Sequence, residues 1–283
     1  MKIGIEYKKS LGATLGSAPL EKLKSFGYDA LDYQIADTNS EIYAMSEEES
    51  LAFLRKERAQ IEKVGLFINQ VHGPWRWPPR DYEEADRIER MEKMKRSMRM
   101  ASALGARYWI VHPLMPFGIE DIGTENEQAT WDMNVEFMSE LLKTAKEYDV
   151  TICLENMPMV KFSIATPEKI LEFVELMNDD HFKICLDTGH DNVFKGLSIG
   201  NEVRRVGDKL VALHVHDNDG RTDQHRFPAF GKLNWNEFAA SLKDIGYNGV
   251  FSLETSPPTN LNLPTYEKFL IALKELADDI INK

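Results

Sequence analysis

Eight short apolar runs punctuate the chain, and the longer stretches between them carry apolar residues at three- and four-residue intervals. The runs cover residues 2–7, 29–35, 66–72, 107–112, 151–155, 182–187, 210–216 and 250–254. Their length and their Val, Ile, Leu and Phe content predict buried strands. The intervening periodicity predicts helices near residues 18–27, 47–64, 81–104, 126–148, 167–178, 198–208, 235–245 and 264–282. Local signals agree. Thr166-Pro167 offers an N-cap followed by a first-turn proline, Glu267 stands three residues after Pro264, and Gly65, Gly105 and Gly246 stand where helices should stop. Eight strands alternating with eight helices predict an α/β fold, a (β/α)8 TIM barrel occupying residues 1–283 as a single domain.

In such a barrel the functional face is the rim where the strands end. The predicted strand ends carry His72, His112, Glu155, Asp187, His216 and Glu254. Glu155, Asp187, His216 and Glu254 close four successive apolar runs and read as a metal site, because carboxylates crowded at one rim repel unless a cation or a proton neutralises them. The run 210–216 offers two histidines, His214 and His216, of one parity and therefore on one side of the strand. His216 stands nearer the rim and is the expected ligand, with His214 below it. By the same parity Cys153 and Cys185 lie two residues beneath Glu155 and Asp187, as buried packing thiols.

Composition narrows the class of function. The chain has 283 residues, of which 43% are hydrophobic, enough for one large core. Its 46 acidic against 34 basic residues give a net charge of -12, which disfavours a nucleic-acid partner in the absence of a basic stripe. No apolar stretch approaches the roughly 20 residues that span a bilayer. The start, Met-Lys-Ile-Gly-Ile-Glu, reads as a strand and not as an export signal, and two cysteines in buried strands fit reduced thiols. The expectation is a cytoplasmic protein with no membrane partner.

The segments Val71-His72-Gly-Pro, Val111-His112-Pro, Leu154-Glu155-Asn, Leu186-Asp187-Thr-Gly-His190, His214-Val-His216-Asp-Asn-Asp219, Asp223-Gln-His225 and Leu253-Glu254-Thr, in that order and spacing, resemble the xylose isomerase-like TIM barrels. That family includes sugar and sugar-phosphate isomerases and epimerases, together with endonuclease IV. The resemblance implies one divalent metal on Glu155, Asp187, His216 and Glu254, as in the ketose 3-epimerases. It also implies Glu155 and Glu254 as the acid/base pair, and His190 and Arg221 as substrate contacts. Arg226 is an equally available cation. His72 and His112 at the rim are further candidate substrate contacts. So is Trp75, in the loop Gly73-Pro-Trp75-Arg-Trp77-Pro-Pro-Arg80, where an indole face could stack on a sugar.

Three carboxylates and one imidazole suit Mn2+ first, with Mg2+, Co2+ or Zn2+ as other choices. The expected reaction is isomerisation or epimerisation of a sugar or sugar phosphate, in which a metal-stabilised enediolate forms when a C–H proton is removed. The expected partner is therefore a small molecule, and a homo-oligomer is compatible with the acidic helices and aromatic rim. Two other classes remain. An endonuclease IV-like nuclease would place three zinc ions on His72, His112, Glu155, Asp187, His190, His216, Asp223, His225 and Glu254, although this chain has Ala229-Phe230-Gly231 where that enzyme has Gly-Glu-Gly. A non-catalytic sugar-binding barrel could dispense with the metal carboxylates, all of which are present.

Overall fold

Each apolar run forms a parallel strand. In a computed structural model, describing residues 1–79 and 81–282, these are β1 (Lys2–Tyr7), β2 (Ala30–Gln34), β3 (Phe67–His72), β4 (Tyr108–Val111), β5 (Thr151–Glu155), β6 (Phe182–Asp187), β7 (Leu210–His214) and β8 (Val250–Leu253). Neighbours in sequence are neighbours in the sheet, and β1 also pairs with β8. Closure between β7 and β8 rests on a single bridge, Val215 to Leu253, in which the Val215 N–H donates to Ser252 O at 2.8 Å and the Glu254 N–H to Val215 O at 3.0 Å. The eight parallel strands thus make a nearly closed (β/α)8 barrel.

The outer layer contains α1 (Lys9–Leu15), α2 (Pro19–Ser25), α3 (Glu41–Ala44), α4 (Glu47–Lys63), α5 (Glu84–Leu104), α6 (Glu127–Glu147), α7 (Pro167–Met177), α8 (Thr188–Asn192), α9 (Ile199–Val206), α10 (Trp235–Asp244) and α11 (Leu263–Ile281). The caps explain several starts. Ser46 and Glu49 form a reciprocal capping box on α4, and the Thr166 hydroxyl accepts from Lys169 N–H ahead of Pro167. The start of α11 is set by Asn262, which accepts from Thr265 N–H. Gly105 adopts φ +74° after α5, a left-handed conformation that a side chain would strain; its N–H closes back onto Ser102 O and the Ala106 N–H onto Ala101 O.

Alternation divides the strand side chains between two environments. Ile152, Leu154, Ile184 and Leu186 face outward into the main core with Met138, Leu141, Ile170 and Phe173 of the helices. Each such side chain contributes about 2 kcal/mol by leaving water. The opposite parity builds a separate small cluster inside the barrel, made of Ile110, Cys153, Cys185 and Ala212. Both thiols are fully buried there, as expected of packing residues. Two residues further along each strand the parity repeats. The layer above this cluster is therefore His112, Glu155, Asp187 and His214.

Candidate active site

That layer is the floor of the rim. The β6–β7 register pairs Asp187 with His214, after a shift between Ile184 and Cys185. This places His214, and not His216, level with the carboxylates. His214 Nδ1 is 2.9 Å from Glu155 Oε1 and 3.4 Å from Glu254 Oε2. Donor atoms of Glu155, Asp187, His214 and Glu254 all lie within 4.8 Å of one another. A second imidazole, His214, thus stands level with the carboxylates for which His216 was the expected partner, because parity fixes the side of a strand while cross-strand register fixes the height.

His216 instead reaches Asp187 from above. Its Nε2 is 2.9 Å from Asp187 Oδ2 and 3.7 Å from Asp223 Oδ1, and its ring stacks on His225 at 4.0 Å. A Cβ on Gly189 would come within 2.0 Å of His216 Cε1, so the helix α8 backbone can approach that ring only as glycine. The turn into α8 is capped by Asp187 itself, whose Oδ1 accepts from His190 N–H at 2.6 Å. His190 Nδ1 donates to Asn156 O at 2.8 Å, and its Nε2 lies 3.4 Å from Asp223 Oδ2. Asn156 in turn joins the ends of β5 and β6, donating to Asp187 O and accepting from Asp187 N–H.

On the other flank His112 Nε2 is 3.0 Å from Glu155 Oε2, and His72 Nε2 is 3.5 Å from the same oxygen. Three further groups of donors thus adjoin the central four: His72, His112 and Glu155; Asp187, His190 and His216; and His216, Asp223 and His225. Trp75 meets His112 edge-on at 4.7 Å, and both Trp75 and Trp77 line a cavity of about 940 Å3 that opens over Glu155 and Glu254. Arg76 turns instead to Asp86 and Glu89 at 3.5 and 3.6 Å, and Arg80 lies outside the described residues. Arg221 is exposed on the turn after Asp219, and neither it nor Arg226 is among the residues lining the cavity. The lysines that do line it are Lys8 and Lys9, which the strand-end pattern did not single out.

Burial and mutual charge set the protonation of the central group. Burial opposes ionisation of Glu155, yet His214 and His112 hold its carboxyl well below the usual range. Asp187 lies at about 2, because His190 and His216 outweigh its burial. Glu254 is pushed up to about 8 by burial, with Asp187 and Glu155 adding to the rise against His214 and His225. His214 resists burial and is raised well above its ordinary value by the acidic groups around it, Cys185, Glu254, Glu155 and Asp32. His190 and His225 both rise to about 10 despite burial, through Asp187 and Asp223 for the first and Asp223 and Glu254 for the second. His112 falls to about 4, chiefly by desolvation.

These residues fit a divalent cation. The central four offer three carboxylates and an imidazole converging on one point, and like charges so close are costly without a positive centre. His214 turns Nδ1 to that point and holds its other nitrogen, Nε2, 3.0 Å from Asp32 Oδ2. A carboxylate on the far nitrogen is how metal-ligating histidines are usually oriented. Gln70 Nε2 donates to the same Asp32 oxygen at 3.1 Å. Sequence reasoning missed Asp32 and Gln70, although an Asp and a Gln at inward-facing positions of apolar strands are a readable signal.

A nearly closed parallel barrel with convergent carboxylates and imidazoles at its C-terminal rim defines a class of enzyme-like sites. A model of the xylose isomerase-like TIM barrel family matches residues 20–275, and the chain belongs to that family. It is 28% identical over 290 residues to an uncharacterized protein of Methanocaldococcus jannaschii, covering 100% of this chain and 91% of that protein. It is 26% identical over 238 residues to a D-psicose 3-epimerase of Enterocloster bolteae, covering 83% of this chain and 75% of the relative. Among solved structures, a D-tagatose 3-epimerase-like protein superposes with a TM-score of 0.74 at 27% identity, covering 100% of this chain and 98% of that one. No helix among the described residues is long and apolar enough to cross a membrane.

Proposed function

We propose that the protein is a divalent-metal-dependent isomerase or epimerase of a sugar, working by proton transfer at a carbon next to a carbonyl. The carrying observation is that Glu155 on β5 and Glu254 just after β8 approach one imidazole nitrogen, His214 Nδ1, at 2.9 and 3.4 Å beneath a cavity large enough for a sugar. The kinship with a D-psicose 3-epimerase supports the same reading. Glu155, Asp187, His214 and Glu254 would hold the ion, with His216 against Asp187 from above; Mn2+ is our first choice. Once bound, such an ion polarises neighbouring carbonyl and hydroxyl oxygens and so acidifies the adjacent C–H bond.

The remaining steps belong to side chains. Glu155 and Glu254 have environments that push their proton affinities apart, which is the arrangement expected of an acid and a base that exchange roles. One removes the proton from carbon and the other returns a proton to it. His190, His72 and His112 line the cavity and would hydrogen-bond substrate oxygens, and Trp75 would supply an apolar wall against bulk water. The test is exchange of solvent deuterium into D-fructose and D-psicose by Mn2+-loaded protein, followed by NMR. Absence of exchange across free and phosphorylated ketoses and aldoses would remove the reading.

A second reading is favoured by one observation. The adjoining donor groups at His72 and His112 and at Asp223 and His225 provide places for additional ions, as a three-metal nuclease would need. Zinc-loaded protein should then nick a duplex containing an abasic site. Intact duplex under those conditions excludes it.

A further inference from the structure

The lysines that line the cavity are already paired with carboxylates, and this bears on what occupies it. Lys8 Nζ lies 2.8 Å from Glu6 Oε1, and Lys9 Nζ lies 2.7 Å from Glu41 Oε2. Among the described residues no lysine or arginine lining the cavity lacks a carboxylate partner. A phosphate dianion placed at this wall would meet Glu6 and Asp37 as well as the lysines. It would have to displace a carboxylate to be paired.

Glu6 is built into the floor, and Lys8 reaches it from the exposed rim, its own side chain 54% exposed. Glu6 sits on β1 in register with Asp32, the carboxylate behind His214, and its side chain is only 8% exposed. Lys8 follows the end of β1 and reaches back over the cavity, where Glu254 and Asp32 both act on its ammonium. One ammonium hydrogen satisfies Glu6, which leaves two donors, and the Glu6 carboxylate retains acceptor sites. A donor beside an acceptor is complementary to two adjacent hydroxyls, one accepting from Lys8 and the other donating to Glu6.

We propose that Glu6 and Lys8 form a specificity-determining pair that hydrogen-bonds neighbouring hydroxyl groups of an unphosphorylated sugar. This inference rests on the sugar reading of the same cavity. Lys8 and Glu6 are positioning residues: they hold the polyol end while the carbonyl end meets Glu155 and Glu254. Nothing in the strand-end motifs pointed to them, because Lys8 lies beyond β1 and its role depends on its reach back to Glu6.

The experiment pairs binding with kinetics on the metal-loaded full chain. D-Fructose and D-fructose 6-phosphate are titrated by NMR, and D-fructose turnover is followed for wild type, Lys8→Met, Glu6→Gln, the double variant that combines these two, and the conservative Lys8→Arg and Glu6→Asp. The free sugar should bind wild type more tightly than its phosphate. Lys8→Met and Glu6→Gln should each raise the sugar's Kd and KM about tenfold, with a smaller effect on kcat, since one net hydrogen bond is worth roughly that factor. The double variant should lose little more than either single one, and Lys8→Arg should recover most of the loss. Equal or tighter binding of the phosphate, unchanged Kd in both single variants, or no binding of either compound would each overturn the proposal. Sugar binding with the expected variant pattern but no proton exchange would instead fail the isomerase reading and leave the pair standing.

Discussion

Asp32 and His214, 182 residues apart in sequence, are joined by a 3.0 Å contact between a carboxylate oxygen and the ring nitrogen that faces away from the acidic cluster. Both side chains are fully buried. The contact fixes the ring so that Nδ1 points at Glu155 and Glu254. Asp32→Asn keeps the shape but weakens the acceptor, and Mn2+ affinity measured by calorimetry should fall about 10- to 100-fold. His214→Ala should lose more than His216→Ala. If the two alanine variants bind the metal alike, the central group has been wrongly chosen.

Metal affinity should also depend on pH with a defined sign. A carboxylate must be deprotonated and an imidazole neutral to bind an ion. Glu254 keeps its proton up to about pH 8, and His214 is held protonated well above its ordinary range. Protons therefore compete with the cation at neutral pH, and the apparent affinity should rise from pH 6 through about pH 8, by roughly tenfold per pH unit for each proton released. A titration of metal-free protein in buffers of different ionisation enthalpy reads the proton release directly. A flat profile would mean that neither group contacts the ion.

The barrel was legible because each apolar run is short, carries no internal proline and alternates with helical periodicity, so strand and helix assignments reinforce one another. Residues at strand ends were legible for the same reason. The height of His214 was not legible because it depends on the shift between Ile184 and Cys185 in the β6–β7 ladder, a relation between two strands that neither strand encodes alone. The position of Arg221 relative to the cavity was not legible because a loop residue's reach is not periodic. The helices Lys9–Leu15, Glu41–Ala44 and Thr188–Asn192 escaped because so few residues give periodicity little length to register, and none of them opens on a proline as the equally short Pro19–Ser25 does. Gly189 and His216 are linked only through the last of these.

The two glutamates should not be interchangeable with glutamine. Glu155→Gln and Glu254→Gln each remove a titrating oxygen with little change in volume, and general acid/base catalysis contributes about 10²- to 10⁴-fold. Turnover should drop by at least that range in either variant. Metal content measured on the same preparations separates the roles: loss of turnover with metal retained indicates proton transfer, and loss of both indicates ligation. An epimerase should show loss in both reaction directions for both variants. Glu155→Gln that kept metal and more than about a tenth of wild-type turnover would remove Glu155 from the acid/base pair.

Asp191 carries the last expectation, on stability. It is 2% exposed on the helix that follows Asp187, and its Oδ1 has no hydrogen-bond partner among the described residues. Burial pushes its carboxyl up to about 7 from an ordinary 3.8, with Glu202 and Asp187 adding to the rise. The unfolded chain releases this proton near the ordinary value and the native state holds it longer, so between those values the native state binds more protons. Native stability must then fall as pH rises through that window, and the penalty is complete above it. Asp191→Asn removes the charge and leaves the shape. Metal-free Asp191→Asn should therefore match wild type near pH 4 and exceed it by on the order of 2 kcal/mol at pH 8, read as a higher Tm. A variant that melts with the wild-type pH profile would show that Asp191 is ionised and paired in the native protein.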